Sequence, residues 1–170
     1  MKTSVLLLLS LSFAAAGPAF AQCAMGAKPM AETGAAHAMV KASEIKWGPP
    51  PAALPPNVQF AVLSGDPGKA GPFAIRIKAP AGFKVGRHWH PADEQVTIIE
   101  GDFHLSMGEA GSAHDADFVA GDFVNLPMKM QHEASSKNGV IVQVNSTGPF
   151  EVIYVDPKDD PRNASKAAAK

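Results

Sequence analysis

His88 and His90 flank Trp89, Glu94 follows four residues on, and His132 stands alone further along the chain. Imidazole and carboxylate are the side chains that bind divalent transition metals. In a β-strand alternate side chains share a face, so His88 and His90 project to one side and Trp89 to the other. Two imidazoles placed that way can both reach one ion at about 2.1 Å. Glu94 lies beyond the Pro91-Ala92-Asp93 turn and shares parity with Val96 and Ile98, two branched aliphatics that mark an interior face. A carboxylate among such residues is costly unless paired, and a metal is the obvious partner.

The elements that must position these groups are short strands. Ten segments between Val58 and Val155 have strand character, each bounded by Gly, Pro, Asp or Asn. Among them are Lys84–His90, Gln95–Glu100, Phe103–Met107, Asp117–Val119 and Glu151–Val155. Glu100-Gly101-Asp102 reads as a turn, and Asn138-Gly139 between two apolar runs is a hairpin signal. No segment in this core carries a sustained helical period. Fifteen Gly and fifteen Pro agree with many turns and few helices. The expectation is an all-β domain, a sandwich or barrel, with two Greek keys giving a jelly roll.

The spacings are specific. Gly82 is followed by five residues, His88-Trp89-His90, three residues, Glu94, six residues and Gly101. Gly121 is followed by five residues and Pro127, with His132 five places later. These stretches resemble the two signature motifs of the cupin family. The first matches at each fixed position. The second departs twice, with Lys129 where a glycine is usual and Ser136 where an asparagine is usual. The resemblance implies a single-domain jelly-roll β-barrel in which His88, His90, Glu94 and His132 hold one divalent transition metal ion. Fe, Mn, Ni, Co, Cu and Zn all suit such ligands, and ligand type alone does not choose among them. Four protein ligands in an octahedral field would leave two positions for water, substrate or dioxygen. Family members also pair strands into homodimers, so a homodimer is an expectation of the resemblance.

The remaining candidates have plainer roles. His104, on the hairpin after the metal strand, reads as surface-facing, with a place near the site as the alternative. His114 and His37 read as solvent-exposed. Met107, Met128 and Met130 could pose as soft copper ligands, but packing and rim positions explain them more cheaply. Val96, Ile98, Phe103 and Phe123 are the expected lining of the barrel mouth.

The flanks differ from this core. Residues 1–21 combine Lys2, an apolar run from Val5 to Leu11 and Ala19-Phe20-Ala21, the pattern of an export signal cleaved before Gln22. An uncleaved anchor and lipid attachment at Cys23 are the alternatives, and Phe20-Ala21-Gln22 fits a lipoprotein signal poorly. Residues 22–56 form a Pro-rich, flexible lead-in, 57–156 the barrel, and 157–170 a solvated polar tail. Cys23 is the only cysteine, so no intrachain disulfide forms. Fifteen Lys and Arg against sixteen Asp and Glu give a net charge of −1. Such a balance offers no footprint for nucleic acid or, once the signal is removed, for a membrane. The expected partner is a small molecule, in the periplasm or outside the cell. The leading reading is a metal-dependent enzyme, with oxygen-dependent cleavage of a small dicarbonyl or phenolic compound as the foremost chemistry. The alternative is an exported module that binds or senses a metal or small ligand without turnover. The sequence offers no general base beside the metal.

Overall fold

A computed structural model describes residues 37–163. The export signal, its cleavage site, Cys23 and residues 164–170 lie outside the described residues. Nine strands follow a single short 3-10 turn at Ala42–Glu44: β1 (Gln59–Ser64), β2 (Gly71–Ala79), β3 (Phe83–Trp89), β4 (Glu94–Met107), β5 (His114–Val119), β6 (Phe123–Leu126), β7 (His132–Ser136), β8 (Val140–Gly148) and β9 (Ile153–Tyr154). Every pairing is antiparallel. The fold is the expected all-β jelly roll.

Two sheets share one strand. β1-β2-β8-β4-β6 makes one sheet and β9-β3-β7-β4-β5 the other. The first half of β4 pairs with β6 and β8, and from Asp102 onward it pairs with β5 and β7. Gln95–Glu100 and Phe103–Met107, expected as two strands around a turn, are therefore one strand bent between sheets. The register shifts between Ile98 and Glu100, and Gly101 follows at φ 85°. A side chain at Gly101 would run into the Gly139 carbonyl, so only glycine lets the two backbones approach there. Asp102 fixes the same corner by accepting hydrogen bonds from the backbone N–H groups of Lys137 (2.8 Å) and Asn138 (3.0 Å). Ser136, in place of an asparagine, caps that hairpin by accepting from the Gly139 N–H at 2.9 Å.

Inward-facing side chains of both sheets meet in one apolar core, with Ile98, Leu105, Leu126 and Val144 the most deeply buried. Several strand ends differ from expectation, those of β5 and β9 among them. β5 begins at His114, three residues early, because it pairs with β4 out to Met107. β9 is only Ile153–Tyr154, because it meets only the last two residues of β3.

The flanks also touch the barrel. Gly48 exchanges two backbone hydrogen bonds with Phe60, extending β1 at its open edge. Residues 157–163, expected as part of a solvated tail, are mostly exposed, yet they also lie against the barrel. Asp159 lies so close to Gly86 that a Cβ there would come within 2.6 Å of its carboxyl group. The Arg162 guanidinium donates to the Val152 carbonyl at 3.0 Å.

Candidate metal centre

β3 and β7 bring His88 and His132 opposite each other as paired residues. What turns His88 inward is a bulge. Phe83 and Val85 face the core, so strict alternation would send Arg87 inside and His88 out. The β3–β7 register breaks between Val85 and His88, and one extra residue reverses the faces. Arg87 consequently points outward, where it donates to the Ser106 hydroxyl at 3.1 Å and to the Gly108 carbonyl, and pairs with Glu133 at 3.8 Å. His88 and His90 keep the shared face expected of them, and both are buried. Glu94 opens β4 on the same side as Val96 and Ile98, also as expected.

Three imidazoles and a carboxylate converge at this end of the barrel. The ligand atoms of His88, His90 and His132 lie within 4.8 Å of one another, so these three buried histidines can hold a metal ion. Their hydrogen bonds decide which nitrogen faces inward. His88 Nδ1 meets the Gly86 carbonyl at 2.8 Å, His90 Nδ1 the Glu151 carbonyl at 2.7 Å, and His132 Nδ1 the Met130 carbonyl at 3.0 Å. A carbonyl only accepts, so each Nδ1 carries the proton and each Nε2 presents a bare lone pair. The Nε2 of His90 is buried with no hydrogen-bond partner. Glu94 Oε2 stands 3.4 Å from His90 Nε2 and 3.3 Å from His132 Nε2. Acceptors thus face acceptors in a dry pocket, an arrangement that costs free energy until a cation sits among them.

The electrostatics agree. Burial, reinforced by the neighbouring His132 and His90, lowers the His88 pKa to about 3, leaving the ring in the neutral form that binds metal.

The turn before His132 explains one departure from the motif. Lys129 sits at φ 64°, the only non-glycine with positive φ among the described residues. That is the left-handed region that glycine enters freely and other residues enter at a cost. The turn is nevertheless pinned to the first motif. Lys129 N–H donates to the His90 carbonyl at 2.8 Å, and Met128 N–H donates to Asp93 at 2.7 Å.

Other expected residues distribute as follows. His104 is on the surface, its Nδ1 2.7 Å from the exposed Asp117 carboxylate. His37 and His114 are exposed. Met107 and Met130 pack against the core, and Met128 is exposed. Phe123, expected at the mouth, is 56% exposed on the outer face, because it pairs with Thr97 rather than with an inward-facing residue. Phe103 and Val96 do line a cavity, a small interior one of about 60 Å³ beneath the site that His88, Glu94 and His132 also border. Ile98 belongs to the core.

The mouth has a different lining from the expected one. A pocket of about 330 Å³ lies on the other side of the histidines, reaching His88, His90 and Glu94. Its walls come from Leu54 in the lead-in, Phe60 and Ile75 in the sheet, and Phe150 and Val152 before β9. Phe150 stacks on the His90 ring with centroids 4.2 Å apart and 19° between planes. Tyr154 packs against His88 and donates its hydroxyl hydrogen bond to the Ala53 carbonyl at 2.8 Å.

Residues 35–151 match the family model described as the ChrR cupin-like domain. The chain belongs to that family. No curated protein matches this cupin at the sequence level. Among solved structures, the polyketide cyclase RemF from Streptomyces resistomycificus aligns with a TM-score of 0.58 at 16% identity, covering 75% of this chain and 92% of that one. KdgF from Halomonas sp. aligns at 0.53 and 16% identity, covering 66% and 94%. An RmlC-like cupin from Shewanella frigidimarina aligns at 0.53 and 16%, covering 65% and 91%. At such identities the likeness is one of fold.

Proposed function

We propose that this cupin is a metal-dependent enzyme acting on a small molecule, with His88, His90, Glu94 and His132 holding one divalent transition metal ion. The observation that carries this reading is the set of three carbonyl-fixed imidazoles turning bare Nε2 atoms toward one another and toward Glu94, with His90 Nε2 buried and unpartnered. The residues fit an ion of the Fe, Mn, Ni, Co, Cu or Zn type. When bound, such a metal supplies a Lewis acid and a platform for dioxygen.

The protein's own part is to bind, orient and exclude water. Phe150 and the Glu151 carbonyl hold the His90 ring from opposite sides of its role, one by stacking and one by fixing the Nδ1 proton. The apolar pocket above the histidines excludes water from a substrate's reacting end and strengthens polar interactions there. Oxygen-dependent cleavage of a dicarbonyl or phenolic compound is the chemistry this arrangement favours. The solved relatives include a protein named as a polyketide cyclase, which supports small-molecule chemistry in this fold without fixing the reaction. The motif at residues 1–21 supports action in the periplasm or outside the cell, which fractionation of the native host would check.

The test is elemental analysis of protein purified without chelator or affinity tag, beside a His88→Ala/His132→Ala variant, followed by oxygen uptake with iron-loaded protein. About one equivalent of metal, lost in the variant, is expected. Absence of metal, with no uptake when each ion is offered, would end this reading. One observation favours non-catalytic binding or sensing instead: beyond His88, His90 and Glu94, the titratable groups lining the mouth among the described residues are Glu151 and Arg162. Glu94→Gln separates the two, since an enzyme loses turnover more sharply than metal content and a binding module loses affinity alone.

A further inference from the structure

The mouth pocket is unusual in what its walls lack. Among the described residues that line it, none carries a side-chain hydroxyl or amide, and none is a lysine. Leu54, Phe60, Ile75, Phe150 and Val152 supply apolar surface on all sides above the histidines. The one cation at the rim, Arg162, is neutralised by Asp160, which accepts from its Nε at 2.8 Å and from its Nη2 at 2.9 Å. Glu151, the other rim charge, is negative and exposed.

Recognition needs matching chemistry. A sugar binds through hydroxyl-to-side-chain hydrogen bonds, and burying its hydroxyls here would leave them unpaired. A carboxylate or phosphate on the ligand's body would be desolvated beside a carboxylate and an already paired guanidinium. An apolar body meets neither cost and gains from each side chain it covers. Size adds a bound. A volume of about 330 Å³ lies at the lower end of the range of small-molecule sites, which suits a small ligand.

We infer that the mouth pocket selects a neutral, mostly apolar molecule of single-ring size whose one polar end points at His88, His90 and Glu94, with Leu54, Phe60 and Phe150 as the specificity-determining residues. This inference rests on the proposed site for its polar end, while the apolar walls stand without it. It names a ligand class and excludes two others, sugars and molecules with a charged body.

Methyl resonances of Leu54 and Val152 report occupancy of the pocket directly, so NMR titration of zinc-loaded and metal-free protein is the test. Para-ethylphenol should shift both methyl signals, and para-hydroxybenzoate and galactose should bind at least about tenfold more weakly. Leu54→Lys should close that gap for para-hydroxybenzoate by placing a cation beside its carboxylate. Galactose or para-hydroxybenzoate binding as well as para-ethylphenol in the unaltered protein would overturn the inference. So would para-ethylphenol leaving the Leu54 and Val152 methyl groups unmoved while zinc is bound. Shifts in the metal-free protein together with failure to bind zinc would uphold the pocket and sink the metal site instead.

Discussion

The two cavities on either side of the histidines are built from different material. The interior one, about 60 Å³, is walled by regular strands: Val85 from β3, Val96 and Leu105 from β4, Ala134 from β7 and Val142 from β8. The mouth, about 330 Å³, takes much of its wall from irregular chain, with Leu54 in the Pro-rich lead-in, Pro67 and Gly68 in the β1–β2 turn, and Phe150 and Val152 before β9. Barrel strands are cross-braced by hydrogen bonds on both sides, so they set positions that a metal demands. Irregular segments are held by fewer bonds and tolerate changes of side chain, so they are where ligand preference can vary. The division assigns chemistry to the barrel and selectivity to its surroundings.

Substitutions on the two sides should therefore separate stability from binding. Leu105→Ala, at a residue 1% exposed, should lower unfolding free energy by about 2–5 kcal/mol in a denaturant titration. Leu54→Ala should cost about 1 kcal/mol or less in the same assay. Equal losses would break the contrast. Phe150 tests the boundary, since it walls the mouth and stacks on His90. Phe150→Ala should weaken metal affinity about tenfold, the scale on which groups that orient a ligand act, as read by competition with a chromophoric chelator. Unchanged affinity would confine Phe150 to the mouth.

Two smaller effects sharpen the picture. Lys129→Gly removes the left-handed strain in the turn before His132 and should stabilise the protein by about 0.5–1 kcal/mol, read as a raised denaturation midpoint. A loss of stability would mean that the Lys129 side chain contributes more than its backbone costs. Tyr154 is the only tyrosine in the chain, so its titration can be followed alone by phenolate absorbance. Burial, aided by Asp160, raises its pKa to about 12 from an ordinary 10.0. Because the folded value lies above the unfolded one, the stabilisation is complete below pH 10 and is lost as pH climbs toward 12. An ordinary titration would mean that Tyr154 does not join the lead-in to His88.

The same division governs what could be read from residues alone. His88, His90 and Glu94 fall within seven consecutive positions, and alternation along a strand decides their faces, so this half of the site was legible. His132 was legible only through the resemblance of the stretch from Gly121 to His132 to the second cupin motif. Phe123 was misplaced because apolar character does not say which side of β6 it takes. The bulge at Gly86-Arg87 was hidden for a related reason: alternation counted from Phe83 and Val85 contradicts alternation counted from His88, and no local signal marks where the count slips. The mouth was illegible because its walls meet through contacts such as Tyr154 with Ala53, 101 positions apart. Tail residues 157–163 are mostly exposed, as their composition suggests, but the approach of Asp159 to Gly86, where no side chain obstructs it, has no local signal.

That slip in the count puts two residues of β3 where β7 has one. With Gly86 and Arg87 both present between Val85 and His88, the barrel carries a cluster of imidazoles at one end and keeps its guanidinium outdoors. Remove one of them and alternation would run unbroken from Val85 to His88, so the imidazole would keep its place opposite His132. What the extra residue adds lies outside: Gly86 leaves room for Asp159, while Arg87 reaches Ser106 and Gly108.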